Sequence, residues 1–367
     1  MKIAFLKFAG LAAGGVEKYL QSLAVIVKDE GHDVDYYYTD AAPIRGSNWD
    51  HPPNDPIQEE AVKGKGINLI KIKVGYKNYD PAAPQGEVWH DSDVFEVFNQ
   101  DNYDLLIIAG NGKPDYPATQ FKGVRTIYSV HGDNVYDQEN IVKSLLICEW
   151  QANRWLNNGG NKLKLEVVPP IVEIPSTYPT NFRERHSIPK DAFIFGLHQR
   201  NDPSIFSPQA LEAFHNLESE NTYYALLGGS DHHRHYVEGW ESNKKDKVLF
   251  FDFASDPNEI HSFLDALDVY AHCRRDGEVS STSIVEAMYH SKPIVSCPGQ
   301  NNGHYDQIKN CGFFCNSLEE YVNAMKILQK DAEKYKKLAK KTLDEYNKMY
   351  SYETVRAKVV SLIDGLR

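Results

Sequence analysis

Residues 268–296 read DVYAHCRRDGEVSSTSIVEAMYHSKPIVS, and this stretch decides the fold. Val269 to His272 has the apolar run of a short buried strand, Ser281 to His290 the spacing of a helix, and Ile294 with Val295 a second strand. Strand, loop, helix, strand is a βαβ unit and implies a parallel sheet. Glu278 and Glu286 stand eight positions apart. Eight residues of α-helix turn through about 800°, leaving two such side chains ~80° apart and ~12 Å along the axis. They are therefore not a helical pair acting on one atom. Gly277 and the run from Ser280 to Ser283 break the helix, so Glu278 belongs to the loop and Glu286 to the helix body. Between them lies a helix N-terminus, whose free N–H groups and dipole favour an anion. Carboxylate, anion site, carboxylate suits a molecule built as sugar, diphosphate and ribose.

Glu278-Val-Ser-Ser-Thr-Ser-Ile-Val-Glu286-Ala287-Met288, followed by Lys292-Pro293-Ile294-Val295, resembles the Glu-x7-Glu motif of retaining GT-B glycosyltransferases of family 4 (glycosyl transferases group 1). The resemblance implies that Glu278 lies beside the donor sugar and that Glu286 holds the nucleotide ribose.

Composition sets the outer bounds. A chain of 367 residues with 41% hydrophobic and 25% charged residues is long enough for two full cores. A net charge of −11 argues against a nucleic-acid surface or broad attraction to anionic lipid, leaving a glycan or other hydroxyl compound as the expected acceptor. Peripheral membrane association stays open. Five cysteines, an odd number without a Cys-x-x-Cys, indicate neither a disulfide framework nor a zinc knuckle, and fit the cytoplasm. The opening MKIAFLKFAG reads as a strand rather than a signal peptide.

From the start of the chain, the strand Ile3 to Phe8 leads through Gly10, Gly14 and Gly15 into a helix with apolar Val16, Tyr19, Leu20, Leu23, Ile26 and Val27 on one face. Gly31-His32-Asp33-Val34 opens a second strand. Gly14 and Gly15 would let backbone approach a phosphate closely, and GGVEKYLQSLA resembles the family's amino-terminal loop and first helix. Thr39 to about Asp101 reads as two long loops around a strand near Ile67 to Val74, with Tyr76, Tyr79, Trp89 and His90 as candidate acceptor contacts. His131 follows the strand Thr126 to Val130 directly and so faces the crevice beyond a sheet's carboxyl edge; the resemblance implies that it contacts the donor sugar. Further strands are expected at Leu105 to Ala109, Leu145 to Glu149 and Leu163 to Val168. A proline-rich connection then closes the first half.

The second half restarts the alternation at Phe193 to Leu197. It ends in long helix from Leu318 to Met349 and an apolar stripe of Val355, Val359, Leu362 and Ile363. Pro298 to Gly303 reads as a flexible turn, and Asp231-His-His-Arg-His235 as structural, without a zinc-ligand spacing. The fold expected is α/β with GT-B architecture: two Rossmann-like parallel-sheet domains facing a cleft. The acceptor-side domain would span 1–172 and a crossing-back helix at 351–367, the donor-side domain 186–350.

The pattern departs from the family in one place. Related enzymes carry an Arg and, five residues later, a Lys, which pair with the donor diphosphate; Arg200 matches but Ile205 stands where the Lys would be. The hydroxyls of Ser281, Thr282 and Ser283, with Arg274 and Arg275, are candidates to make up the difference. No metal and no cofactor is expected. The reading is a retaining hexosyltransferase using a nucleotide-diphosphate sugar, with a catalytically silent sugar-nucleotide binder, an epimerase or a phosphorylase as alternatives. A dinucleotide oxidoreductase is disfavoured, because no Gly-x-Gly-x-x-Gly follows the first strand.

Overall fold

The computed structural model describes residues 1–7, 10–12, 14–39, 54–73, 93–110, 118–132, 134–172, 174–218 and 220–367. The chain divides into two compact units, Met1–Pro170 with Val355–Arg367, and Ile171–Thr354.

In the first unit seven strands, β1 (Lys2–Lys7), β2 (Asp33–Thr39), β3 (Asn68–Ile72), β4 (Leu105–Gly110), β5 (Thr126–Val130), β6 (Ile141–Leu146) and β7 (Leu165–Val167), form one sheet. Their order is β3-β2-β1-β4-β5-β6-β7, and every pairing is parallel. A parallel sheet needs both faces covered, and β4 accordingly reads Leu-Leu-Ile-Ile-Ala-Gly with all six residues buried. The helix Gly15–Asp29 buries Tyr19, Leu20, Leu23, Ile26 and Val27, the stripe expected from the sequence. The helix Tyr352–Asp364 reaches back to this unit: Arg125 donates to the Leu366 carbonyl at 2.7 Å, and Arg356 pairs with Glu30.

In the second unit β8 (Phe193–Gln199), β9 (Thr222–Gly228), β10 (Val248–Phe251), β11 (Val269–Ala271), β13 (Ile294–Ser296) and β15 (Gly312–Phe314) form a six-stranded parallel sheet in the order β10-β9-β8-β11-β13-β15. Two further strands, β12 (Gly277–Glu278) and β14 (Asn301–Asn302), pair with each other in parallel. Both large sheets reverse their winding once, between β1 and β4 and between β8 and β11, and ligands bind beyond the strand ends at such a switch point.

Four local expectations are corrected. The strand at 145–149 lies earlier, at Ile141–Leu146, because Glu149 already opens a helix capped by Cys148. A helix at Pro56–Gly64 falls in the stretch read as loop; Asp55 caps it and Pro56 starts it, but it buries only Gln58 and Val62, too few for a visible stripe. The helix expected over 318–349 is two, broken at Asp331, which caps the second. The turn at 298–303 is built structure, as β14 shows. The candidate acceptor contacts Tyr76, Tyr79, Trp89 and His90 lie outside the described residues. All five cysteines are free and buried. No helix among the described residues is long and apolar enough to cross a membrane.

Candidate functional site

In the second unit the loops after β8 and β11 meet at the switch point, and they carry Arg200 and Glu278. The backbone of Glu278 is fixed from both sides. Gly277 takes φ +62°, which favours glycine, and β12 lies against β14 so closely that a Cβ on Gly277 would stand 1.8 Å from the Asn301 carbonyl oxygen. A Cβ on Gly303 would stand 1.9 Å from the Val279 oxygen. Glycine at these positions is what lets two backbones clamp the carboxylate's position.

The Glu278 side chain is anchored through one oxygen. Oε1 accepts from Arg274 Nη1 at 2.6 Å and from the Ser281 hydroxyl at 3.4 Å, with His272 Nε2 at 3.9 Å. Burial alone would raise its pKa, but His272, Arg274 and His304 together hold it below the usual carboxylate range, so it is ionised at neutral pH. Arg274 also grips Asp276 through Nε at 3.0 Å and Nη2 at 2.7 Å. It is therefore no spare cation. Arg275 is exposed, and its N–H donates to the Ile205 carbonyl at 3.1 Å.

The helix Thr282–Tyr289 begins where expected, with Ser281 as its cap. The Ser281 hydroxyl accepts from the Ile284 N–H at 3.4 Å and lies 2.9 Å from the Ser283 hydroxyl. Gln307 brackets Ser281, accepting from its N–H at 2.8 Å and donating to its carbonyl at 3.1 Å. Of the three amides at 281–283, those of Thr282 and Ser283 take no partner among the described residues and are placed to meet an anion. Glu286 sits one turn into the helix, and its Oε2 is 2.8 Å from His198 Nε2. His198 lies near the end of β8 and was not among the candidate site residues, although the strand-end reasoning applied to His131 points to it equally.

Arg200 folds onto its own turn, donating to Asp202 through Nε at 3.0 Å and Nη2 at 2.8 Å, and stays 60% exposed. Asp202 accepts from the Ser204 hydroxyl at 2.6 Å; that bond and Arg200 hold its pKa down to about 2. Ile205 is a core residue, 1% exposed, so a lysine there would bury its charge. In the Asp231–His235 cluster His233 is buried at the start of the helix Asp231–Glu238, lying 3.0 Å from Gln199 Nε2 and contacting Ser230. No group of three or more His, Cys, Asp or Glu that could hold a metal occurs among the described residues.

In the first unit Gly14 caps the helix Gly15–Asp29 with an ordinary φ of −78°, and a Cβ on Gly15 would meet nothing within 4 Å. The Glu17 carboxylate bends over Gly14 and pairs with Lys7 at 3.5 Å. His131 follows β5. Gln151 pins the backbone around it, donating to the carbonyls of Val130 at 2.8 Å and Gly132 at 2.6 Å. Its ring packs edge-on to Tyr19 and lies 2.9 Å from the Ser129 hydroxyl. Burial, and secondarily the Lys7 charge, bring its pKa down to about 3, so the imidazole is neutral at physiological pH.

Residues 180–344 match the family model described as glycosyl transferases group 1. No curated protein matches the chain in sequence. Among solved structures it is similar to HepE of Anabaena in complex with UDP and glucose, at 17% identity over 100% of both chains and a TM-score of 0.72. It is also similar to sucrose-phosphate synthase of Thermosynechococcus elongatus, at 16% identity over 100% of this chain and 99% of that one, with a TM-score of 0.74. A glycosyltransferase of Rickettsia africae shows 15% identity over 100% and 98%, with a TM-score of 0.71. At these identities the structural likeness establishes the fold: two Rossmann-like parallel-sheet units of the GT-B class.

Proposed function

Because residues 180–344 match the model of the group 1 glycosyl transferases, we propose that this chain transfers a hexose from a nucleotide-diphosphate sugar to a glycan or other hydroxyl acceptor with retention of configuration. The observation that carries the reading is the placement of Glu278: an ionised carboxylate at the switch point, anchored through Oε1, ahead of a helix start with two unused amides. Oε2 takes no protein donor among the described residues and is left for a sugar hydroxyl. Glu286, further along the same helix, takes the ribose diol in competition with His198. The Thr282 and Ser283 amides, with Arg200 released from Asp202, take the diphosphate, and the Ser281 hydroxyl supports them as the cap. From the first unit we assign His131 to the sugar and Gly14 and Gly15 to the donor phosphates.

Positive charge from Arg200 and a helix end replaces a metal in stabilising the leaving diphosphate. The departing oxygen then accepts the acceptor's proton on the face from which it left, which retains configuration. A neutral His131 suits this chemistry, because it can exchange hydrogen bonds with a hydroxyl without adding charge.

The test is nucleotide release from uridine, guanosine and adenosine diphosphate sugars, with and without a metal chelator. Release from one of these donors, undiminished by the chelator, supports the reading. Donor binding seen as a raised melting temperature without any release would instead support a silent sugar-nucleotide binder. The buried Ile205 and the self-paired Arg200 are the observations favouring that second reading.

A further inference from the structure

His272 lies on the loop just after β11 and is 1% exposed. Its Nδ1 is 2.8 Å from the Ser296 hydroxyl, while Nε2 is buried with no hydrogen-bond partner among the described residues. A buried N–H left unpaired costs about 1–3 kcal/mol, so an imidazole in this setting asks for a reason. Ser296 can donate to Nδ1, which puts the proton on Nε2, the nitrogen 3.9 Å from Glu278 Oε1. The ring is held so that it cannot turn away. Tyr270 from β11 stacks on it at 6.4 Å and 24°, His304 approaches at 5.2 Å, and the Tyr321 hydroxyl donates to the His272 carbonyl at 3.1 Å. The titratable and charged groups around the pair are Tyr270, Arg274, Asp276, His304 and Tyr321. His304 is itself occupied, with Nε2 on the Cys297 carbonyl at 3.1 Å and Nδ1 at 3.3 Å from the Glu278 carbonyl.

We propose that His272 is a positioning residue for Glu278: its buried Nε2–H steadies Oε1 from behind, together with Arg274, so that Oε2 is presented to the bound sugar. The catalytic part of this statement rests on the transferase reading. Arg274 is a long side chain already shared with Asp276, and the Ser281 hydroxyl reaches Oε1 only at 3.4 Å. A further donor, held on the loop just after β11, adds the direction from behind.

Three variants test it: His272→Leu removes the donor at similar volume, His272→Gln restores an N–H near the Nε2 position, and Ser296→Ala removes the group that selects the tautomer. Two readouts are taken on each folded variant: the titration of the Glu278 carboxylate, followed by carbon NMR on glutamate-labelled protein, and the rate of nucleotide release across pH. For His272→Leu the Glu278 midpoint should rise by about one pH unit. Release should fall at least tenfold with donor Kd changed less than threefold, and its acidic limb should move up with the midpoint. His272→Gln should recover most of both, and Ser296→Ala should fall between. An unmoved Glu278 midpoint in His272→Leu overturns the proposal. A moved midpoint in a protein that releases no nucleotide from any donor upholds the positioning role and overturns the transferase reading instead.

Discussion

The loops at the two switch points are built on the same topology and handle charge in opposite ways. In the first unit His131 is held neutral, its backbone is pinned by Gln151, and the acid at the helix start is balanced by Lys7. In the second unit charges stand in close pairs, Glu278 with Arg274 and Arg200 with Asp202, and Glu286 lies against the His198 ring. A diphosphate brings negative charge to be neutralised, and a paired site can exchange an internal partner for a ligand. On the proposed transferase reading, donor grip and charge stabilisation fall to the second unit, and the first adds a neutral polar contact from His131.

The largest effect should therefore come from the second unit's first acid. Glu278→Gln keeps the shape but removes the charge that, on the proposed reading, faces developing positive charge on the sugar; release should fall by about 10²–10³-fold with donor affinity little changed. Glu286→Ala should do the reverse, weakening the donor about tenfold, the size of one lost charged hydrogen bond, with turnover at saturation nearly kept. Steady-state kinetics and direct donor titration separate the two, and the opposite pattern would exchange their roles.

Next comes the clamp. Gly303→Ala puts a methyl group 1.9 Å from the Val279 oxygen, a contact with backbone that no rotamer relieves. The melting temperature should drop by several degrees, corresponding to a loss on the order of 2–3 kcal/mol. Gly15→Ala in the first unit, where the space is open, should cost nothing measurable. Equal costs in the two variants would remove the clamp from the account of Glu278.

This is also where the sequence stops being legible. Most strands, the helix after Ser281 and the loop placement of Glu278 follow from local periodicity, which survives in a single chain. The pairing of Gly277–Glu278 with Asn301–Asn302 involves two residues on each side, too short for any alternation, and shows in sequence only as glycines at 277, 299 and 303. His198 and Gln151 were equally hidden as partners, because each acts on a residue distant in sequence. Ile205 reads as a missing charge in sequence and as a core side chain in the fold, and only the second view explains why a lysine is not there.

Acid should then separate the two units. His233 and His304 in the second unit are buried, which brings each pKa down to about 4, and burial also lowers His186 and His290 there. The first unit has His131, brought down to about 3, and a lowered His32. A histidine that resists protonation in the fold but not in the unfolded chain costs stability as pH falls below ~6.5, down to its folded value. At pH 5.5 the cost is on the order of 1 kcal/mol for each of His233 and His304. Glu278, held below its ordinary range, adds loss in the same direction at lower pH. Hydrogen exchange at pH 7.5 and 5.5 should show protection falling further in the second unit, and equal loss in both would deny the contrast.

The smallest effect tests the first unit by itself. Glu17 holds its carboxylate over the N-terminal cap of the helix Gly15–Asp29, where a negative side chain and a phosphate would compete for the same free amides. If Gly14 and Gly15 touch the donor, Glu17→Gln removes the competitor, and donor affinity should rise about two- to fivefold, in keeping with the ~0.3–1 kcal/mol of a charge at a helix end. The change also removes the negative partner that Lys7 meets at 3.5 Å, which pushes in the same direction. The gain should persist in moderate salt, because the Lys7 and Glu17 side chains are only 10% and 16% exposed and such pairs are screened little. An affinity unchanged at low salt would withdraw Gly14 and Gly15 from the donor site and leave the anion to the amides of Thr282 and Ser283.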